Sequence, residues 1–419
     1  MTIGEGLYAE VTATSETVAF DPTRRAGLAR LEQYAPRTGV HYATHRNYDL
    51  GPSQRSTTSA LSPWIRHRLI TEPEVLTHTL ARHSPTTAMK FIQEVFWRGY
   101  FKGWLEQHPS VWQSYQLGLR TAWDKLESNI HRKNDVLAAM DGRTGIACFD
   151  HWCRELVKTG YLHNHARMWF ASIWIFTLRL PWELGAQFFL RHLIDGDPAS
   201  NTLSWRWVGG LHTKGKTYLA RPSNIAKYTK GAFEPIGQLA NTAEPLSEAG
   251  DHPLVPFIPE NPTAQKNFLL LVTEEDCRSR TLISGTASGV LGLVTPREKD
   301  QGALAHGFRQ GAVADAVAGL YEQGHVATTH DWSTAIIAAA QMAGTTQVLT
   351  PFAPVGPVAT KLEGVKNALA AEGMTLRQPH RHYDAATWPH ATKGYFKLKK
   401  AIPTILSELG LAGAPSNEP

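Results

Sequence analysis

The sequence predicts an all-α half followed by a smaller α/β half, and three observations carry the prediction. From about Thr23 to about Pro235, apolar residues recur every three or four positions, as in TTAMKFIQEVFWRGYFKGWLEQ. Between Glu244 and Lys266, EPLSEAGDHPLVPFIPENPTAQK carries prolines and small polar residues that forbid a continuous helix. Beyond it, short β-branched or leucine-rich runs alternate with helical ones, as in a parallel sheet with helices on its faces. The expected organisation is a helical domain over 1–243, a linker over 244–266 and a Rossmann-like α/β domain over 267–419.

Within the first half, FDHWCRELVKTGYLHNHARMWFASIWIFTLR reads as a long amphipathic helical stretch. In the second half the strands are FLLLVT, GVLGLVT, HVATTH, TQVLTP and MTLRQP. The helices between them are GAVADAVAGLYEQG, TAIIAAAQMAG and ATKLEGVKNALAAEG. GTASGVLG, Gly285 to Gly292, lacks the Walker lysine and the dinucleotide spacing and reads as a turn. There is no internal repeat or low-complexity tract.

A chain of 419 residues with 42% hydrophobic content can bury a large core. No apolar run reaches the roughly 20 residues of a membrane span, and MTIGEGLYAEVTATSE lacks the basic start and apolar stretch of a signal peptide, so a cytoplasmic location is expected. Cys148, Cys153 and Cys277 are too few and too scattered for a disulfide framework or a four-cysteine cluster, and read as reduced buried thiols. The net charge of +5 permits a polyanionic partner without requiring one. Thirteen tryptophans stand out more.

The densest information lies between Thr144 and Trp207. Asn164, Arg167 and Met168 fall at i, i+3 and i+4, so one helical face presents an amide, a guanidinium and a thioether to one small volume. Asp195, Asp197 and Asn201 come from the turn IDGDPASN, which can aim acceptors and an amide inward, and Trp205 and Trp207 follow. Such a mixture suits a redox heteroaromatic. The rival reading of Asp-x-Asp is a divalent-metal site, but no further carboxylates cluster nearby. Glu94, Trp97 and Arg98 share another helical face, TSALSPW is an N-cap pattern, and Asp150 and Arg154 read as a structural i, i+4 pair. His163 and His165 read as helix histidines bonded to neighbours. For Arg66, Arg68, Lys102 and Lys214 the alternatives are phosphate binding and solvated surface charge.

Together these segments resemble the flavin-binding core of the photolyase and cryptochrome family across nearly all of the α half. The resemblance implies FAD as cofactor. Its diphosphate would be wrapped by Tyr42, Arg46, Asn47 and the TSxLSP-like run Thr58, Ser59, Leu61, Ser62 and Pro63. Arg167 would pair with Asp195 above the isoalloxazine, Asp197 would bond its pyrimidine edge, Asn201 would face N5, and Arg98 would face the flavin side. Trp97 would stack on damaged bases, with Glu94 accepting a hydrogen bond from them. HNHARM resembles the family's HNRxRM, and Asn164 and Met168 match the cyclobutane-dimer enzymes rather than the (6-4) ones. His165 replaces a usual Arg, and Tyr161 a common Trp, so the pocket rim departs from the pattern. Trp205 and Trp182 match the proximal and middle members of an electron-hopping chain. The distal member is open, with Trp123, Trp152, Trp169 and Trp174 as candidates.

The order of the halves departs from the family, whose members begin with the α/β domain; the end of this chain looks like the end of that domain, which implies a circular permutation or a rearranged and shortened relative. The expected function is that of an FAD-dependent DNA photolyase, a monomer acting on UV-damaged DNA without a membrane. A cryptochrome-like photoreceptor that signals without repair is the alternative, and a non-flavin α/β protein fused to a helical interaction module is a third.

Overall fold

The computed structural model describes residues 18–262, 265–320 and 324–411. Its first part is helical: α1 (Arg24–Tyr34), α2 (Val40–His45), α3 (Ser62–Arg66), α4 (Glu72–Leu80), α5 (Pro85–Glu106) and α6 (Ser110–Glu127). It continues through α7 (Ile130–Met140), α8 (Ala147–Thr159), α9 (Asn164–Ser172), α10 (Trp182–His192), α11 (Pro198–Val208) and α12 (Pro222–Tyr228). Polar residues start several of these helices by accepting an otherwise orphaned backbone N–H: Thr23 for α1, Ser84 for the long α5, Asn129 for α7 and Asp197 for α11. The amphipathic stretch beginning at Phe149 is two helices rather than one. α8 stops where Gly160 takes φ +67°, the left-handed conformation that costs glycine least. α9 then runs on into a π-helical turn, Ile173–Thr177.

The second part holds β1 (Gln265–Val272), β2 (Gly285–Val294), α13 (Ala303–Ala318), β3 (His325–Thr328), α14 (Trp332–Met342), β4 (Gln347–Leu349), α15 (Pro357–Ala371) and β5 (Thr375–Arg377). All neighbouring strands are parallel, in the order β3-β2-β1-β4-β5, the doubly wound arrangement. β1 starts inside the stretch read as linker. GTASGVLG is not a turn but most of strand β2. Its glycines serve packing: a Cβ on Gly292 would lie 2.8 Å from Val313, 2.9 Å from Val317 and 3.0 Å from Val326, so only a bare backbone lets α13 approach. Residues 321–323, the end of the helix read from GAVADAVAGLYEQG, lie outside the described residues.

The chain's last helices, α16 (His382–Thr387) and α17 (Phe396–Glu408), pack away from the sheet and onto α5. Trp388, between them, sits so close to α5 that a Cβ on Gly103 would be 2.6 Å from its ring. One buried cluster joins α9, α10 and α11; a second runs from α1–α5 through Phe268, Leu270 and Val290 of the sheet to Leu398 and Ile402 of α17. A third core lies on the sheet's other face, under α14 and α15.

The two parts are also joined by buried charge. Glu275, just past β1, takes both arms of the Arg66 guanidinium at 2.7 and 2.8 Å, and Asp276 takes Arg381 and Arg68. Arg68 also reaches Asp384 of α16 at 2.6 Å. Ions this deep are tolerated because each finds partners; unpaired, each would cost several kcal/mol.

Candidate functional site

The phosphate-type loop is held from behind. Arg30 of α1 donates to the carbonyls of Arg55, Thr58 and Ser59, which turns that backbone's acceptors inward. Ser59 Oγ accepts from the Leu61 N–H, and Ser62 helps to lower the Asp195 carboxyl. α3 is only five residues long, so what the loop offers an anion is its own N–H and hydroxyl groups rather than a long helix dipole. Tyr42 is buried edge-on against Phe91, at 5.0 Å between ring centroids. Asn47 contributes through its backbone, its carbonyl accepting from His165 Nδ1 at 3.0 Å.

A second group of predicted residues converges around the start of α11. Arg167 donates to the Leu162 carbonyl and to Asp195 at 2.9 Å. Burial alone would raise the Asp195 carboxyl, but the Arg167 charge and hydrogen bond, with Ser62 and Arg98, hold it below the ordinary carboxylate range. Asp197 caps α11, taking the Ser200 N–H at 2.7 Å, and its other oxygen lies 3.3 Å from Lys102 Nζ and 3.7 Å from Arg66 Nε. Burial would raise this carboxyl too; Lys102, Arg66 and Arg98 outweigh it and keep it well below its ordinary value. Asn201 donates Nδ2 to the Ala186 carbonyl at 2.7 Å, which fixes the amide and leaves its oxygen to face elsewhere. Arg98 Nη1 and Asp195 Oδ1 are buried without a protein partner, one unused donor and one unused acceptor in one cluster. That pairing fits a polar heteroaromatic ring system, which can accept at one edge atom and donate at another.

Asn164 opens α9 and is exposed, with Met168 half-buried one turn later. On α5, Glu94 is paired to Arg46 at 3.0 Å, and burial raises its carboxyl while Arg46 and Lys90 oppose the shift. Trp97 has one face covered: Tyr395, just before α17, stacks on it at 3.6 Å with the planes 10° apart. Nothing in the local sequence signals that contact, because it joins residues nearly 300 positions apart.

Several expectations are corrected. Arg66, Arg68 and Lys102 are not phosphate-gripping surface residues; their side chains are 2–3% exposed and bound to Asp197, Glu275, Asp276 and Asp384. Lys214 is the exposed one, 3.5 Å from Asp251. Asp150 accepts from Thr144 and the Gly145 N–H, and Arg154 donates to the Gly142 carbonyl, so each braces the 142–145 turn rather than the other. His165 lies flat on Trp169 at 4.3 Å, while His163 starts α9 by accepting the His165 N–H. Burial, ahead of the neighbouring charges, lowers His163 to about 4, so it is neutral.

Trp205 meets Trp174 edge-on at 6.2 Å and Phe189 at 5.2 Å, whereas Trp182 packs against Tyr115 at 5.5 Å. Gly185 makes the first contact possible, since a Cβ there would lie 2.3 Å from Trp205 and 2.9 Å from Trp174. Trp174 is therefore the indole in ring contact with Trp205, and the sequence flagged it only among several. Trp207 is half-buried against Tyr218.

Residues 91–240 match the family model described as the FAD binding domain of DNA photolyase. The deoxyribodipyrimidine photo-lyase of Escherichia coli is 29% identical over 210 residues, covering 48% of this chain and 42% of the relative. That of Streptomyces griseus is 33% identical over 157 residues, covering 37% and 33%. The chain thus spans less than half the length of these curated relatives. Among solved structures, a bacterial class III photolyase from Agrobacterium tumefaciens is 26% identical with a TM-score of 0.41, over 50% of this chain and 43% of the other. A Synechocystis cryptochrome is 26% identical over the same shares, at 0.40. Residues 91–240 thus form an FAD-binding domain of the DNA photolyase type, with FAD as its cofactor.

Proposed function

We propose that the chain repairs cyclobutane pyrimidine dimers in DNA with light; its curated relatives carry the name deoxyribodipyrimidine photo-lyase. The observation that carries this reading is the convergence of the half-buried Arg98 and Arg167 on the buried Asp195 and Asp197, with the exposed Asn164 and half-buried Met168 on the same helix as Arg167. When bound, reduced FAD supplies a light-excited electron that can enter and leave a dimer with no net redox change. The protein's own residues bind and orient. The Arg167–Asp195 pair stays ionised and fixes one edge of the ring system, and the clamped Asn201 amide presents its oxygen. Asn164 can bond base edges, and Met168 lends a soft apolar wall. A damaged pair unstacks cheaply and can be flipped out toward these residues and the half-buried Trp97.

A second reading, a blue-light photoreceptor without repair, is favoured by two observations: Tyr395 already occupies one face of Trp97, and His165 is tied to Asn47 and Trp169 instead of replacing the rim arginine it stands for. The deciding experiment is blue-light-dependent loss of dimers from UV-irradiated oligothymidine, with purified protein under reductant and a dark control. Loss in light alone supports repair. No loss from protein that carries reduced FAD rejects repair of this lesion and favours the photoreceptor.

A further inference from the structure

Tyr100 lies one turn along α5 from Trp97 and is fully buried. Its hydroxyl has one side-chain contact, His212 Nε2 at 2.9 Å. Its ring stands edge-on to Trp97 at 5.4 Å and to Tyr395 at 5.5 Å, and those two rings stack on each other. On the far side, His212 stands edge-on to Trp104 at 4.7 Å, and Trp104 lies flat on His108 at 4.0 Å. Ring contacts thus run unbroken from Trp97 to His108, with one phenol–imidazole hydrogen bond in their middle. Trp97 is followed on α5 by Arg98, whose charge acts on both Asp195 and Asp197.

A phenol is hard to oxidise unless its proton leaves together with the electron, because the phenol radical cation is a very strong acid. In a fully buried site that proton needs a base already in place. We propose that Tyr100 and His212 form a proton-coupled redox pair that donates one electron, by way of Trp97, to the photoexcited oxidised flavin. The Tyr100 O–H bond breaks, and the electron passes to the flavin. The proton forms an N–H bond at His212 Nε2, leaving a neutral tyrosyl radical and an imidazolium. Charge recombination reverses both transfers. Burial, with Arg206 and His108 nearby, lowers His212 to about 4, so the ring is neutral and able to accept at neutral pH. Arg206 on α11 is itself paired with Glu248, and Phe101 and Trp104 supply the apolar walls. The inference rests on FAD occupying the cluster around Asp195 and Arg98, not on the repair reading.

The test is illumination of FAD-loaded, oxidised protein, with electron paramagnetic resonance and transient absorption read for a tyrosyl radical, in wild type, Tyr100→Phe and His212→Gln. Tyr100→Phe keeps the ring and removes only the hydroxyl, so folding is preserved. The expected result is a tyrosyl signal in wild type, its loss in Tyr100→Phe, and a drop of roughly a hundredfold in yield in His212→Gln, the low end of what a positioned base contributes. Formation of the wild-type radical should also slow in D2O. An undiminished signal in Tyr100→Phe, or no tyrosyl radical in illuminated wild type, overturns the pair. Failed dimer repair with the radical intact would overturn the repair reading and leave the pair standing.

Discussion

Replacing Asp197 by Asn isolates what a single buried charge does here. The substitution keeps the helix cap, because Asn accepts the Ser200 N–H as well as Asp does, so any loss reports the charge. Two cations then lose a partner. Arg66 keeps its bidentate contact with Glu275 at 2.7 and 2.8 Å, whereas Lys102 keeps Glu275 at 3.9 Å and the more distant charge of Glu106. Removing one member of a buried pair costs about 3–5 kcal/mol, and with Arg66 still satisfied the low end, about 3 kcal/mol, is expected. Urea unfolding of the cofactor-free protein measures it. The Asp197 carboxyl is depressed on folding, so its contribution is present above the ordinary carboxylate range and lost only as pH falls through the folded value; the difference should be constant from about pH 5 to 8. In Lys102→Met, the further change Asp197→Asn should cost much less than it does alone. A loss under about 1 kcal/mol in the single variant would refute the idea that Lys102 depends on Asp197.

Other substitutions test other layers. Trp205→Phe leaves no hydrogen bond broken, since the indole N–H has no protein partner; light-driven flavin reduction should slow at least about tenfold, about 1.4 kcal/mol of barrier, while FAD loading persists. Normal photoreduction would remove Trp205 from the electron path. Gly185→Ala drives a methyl into Trp205 and Trp174 and should destabilise by about 1–3 kcal/mol or more in a thermal melt, with a shift in tryptophan fluorescence; an unchanged melt would contradict the packing of α10 on α11. Glu106, which accepts the Val355 N–H, has its carboxyl raised to about 7, mainly by burial. A raised carboxyl stabilises the fold below its ordinary pKa and loses that contribution as pH rises through about 7. Between pH 6 and 8 the wild-type Tm should therefore fall more than that of Glu106→Gln, and parallel curves would reject the shift.

What the sequence determined on its own is whatever local spacing encodes. The 3.6-residue periodicity, the polar caps and the alternation of apolar runs specify the helices, the parallel strands and the proline-rich seam, because each depends on neighbours a few positions away. Spacing placed Arg167 on one face of α9 and gathered Asp195, Asp197 and Asn201 at the start of α11, whereas the meeting of Arg167 with Asp195 was implied only by the family resemblance. GTASGVLG misled because glycines signal turns locally, while here they flatten a strand under α13. Contacts between distant segments lay beyond local reading. Whether a cation such as Arg66 is surface charge or buried tie depends on whether Glu275, 209 positions away, folds against it. The stacking of Tyr395 on Trp97 and the bond between Tyr100 and His212 exist only because the segment before α17 and the turn after α11 return to α5. Helix faces are written in the sequence, but which faces meet is decided by the burial of the whole core, and that sum belongs to the tertiary fold.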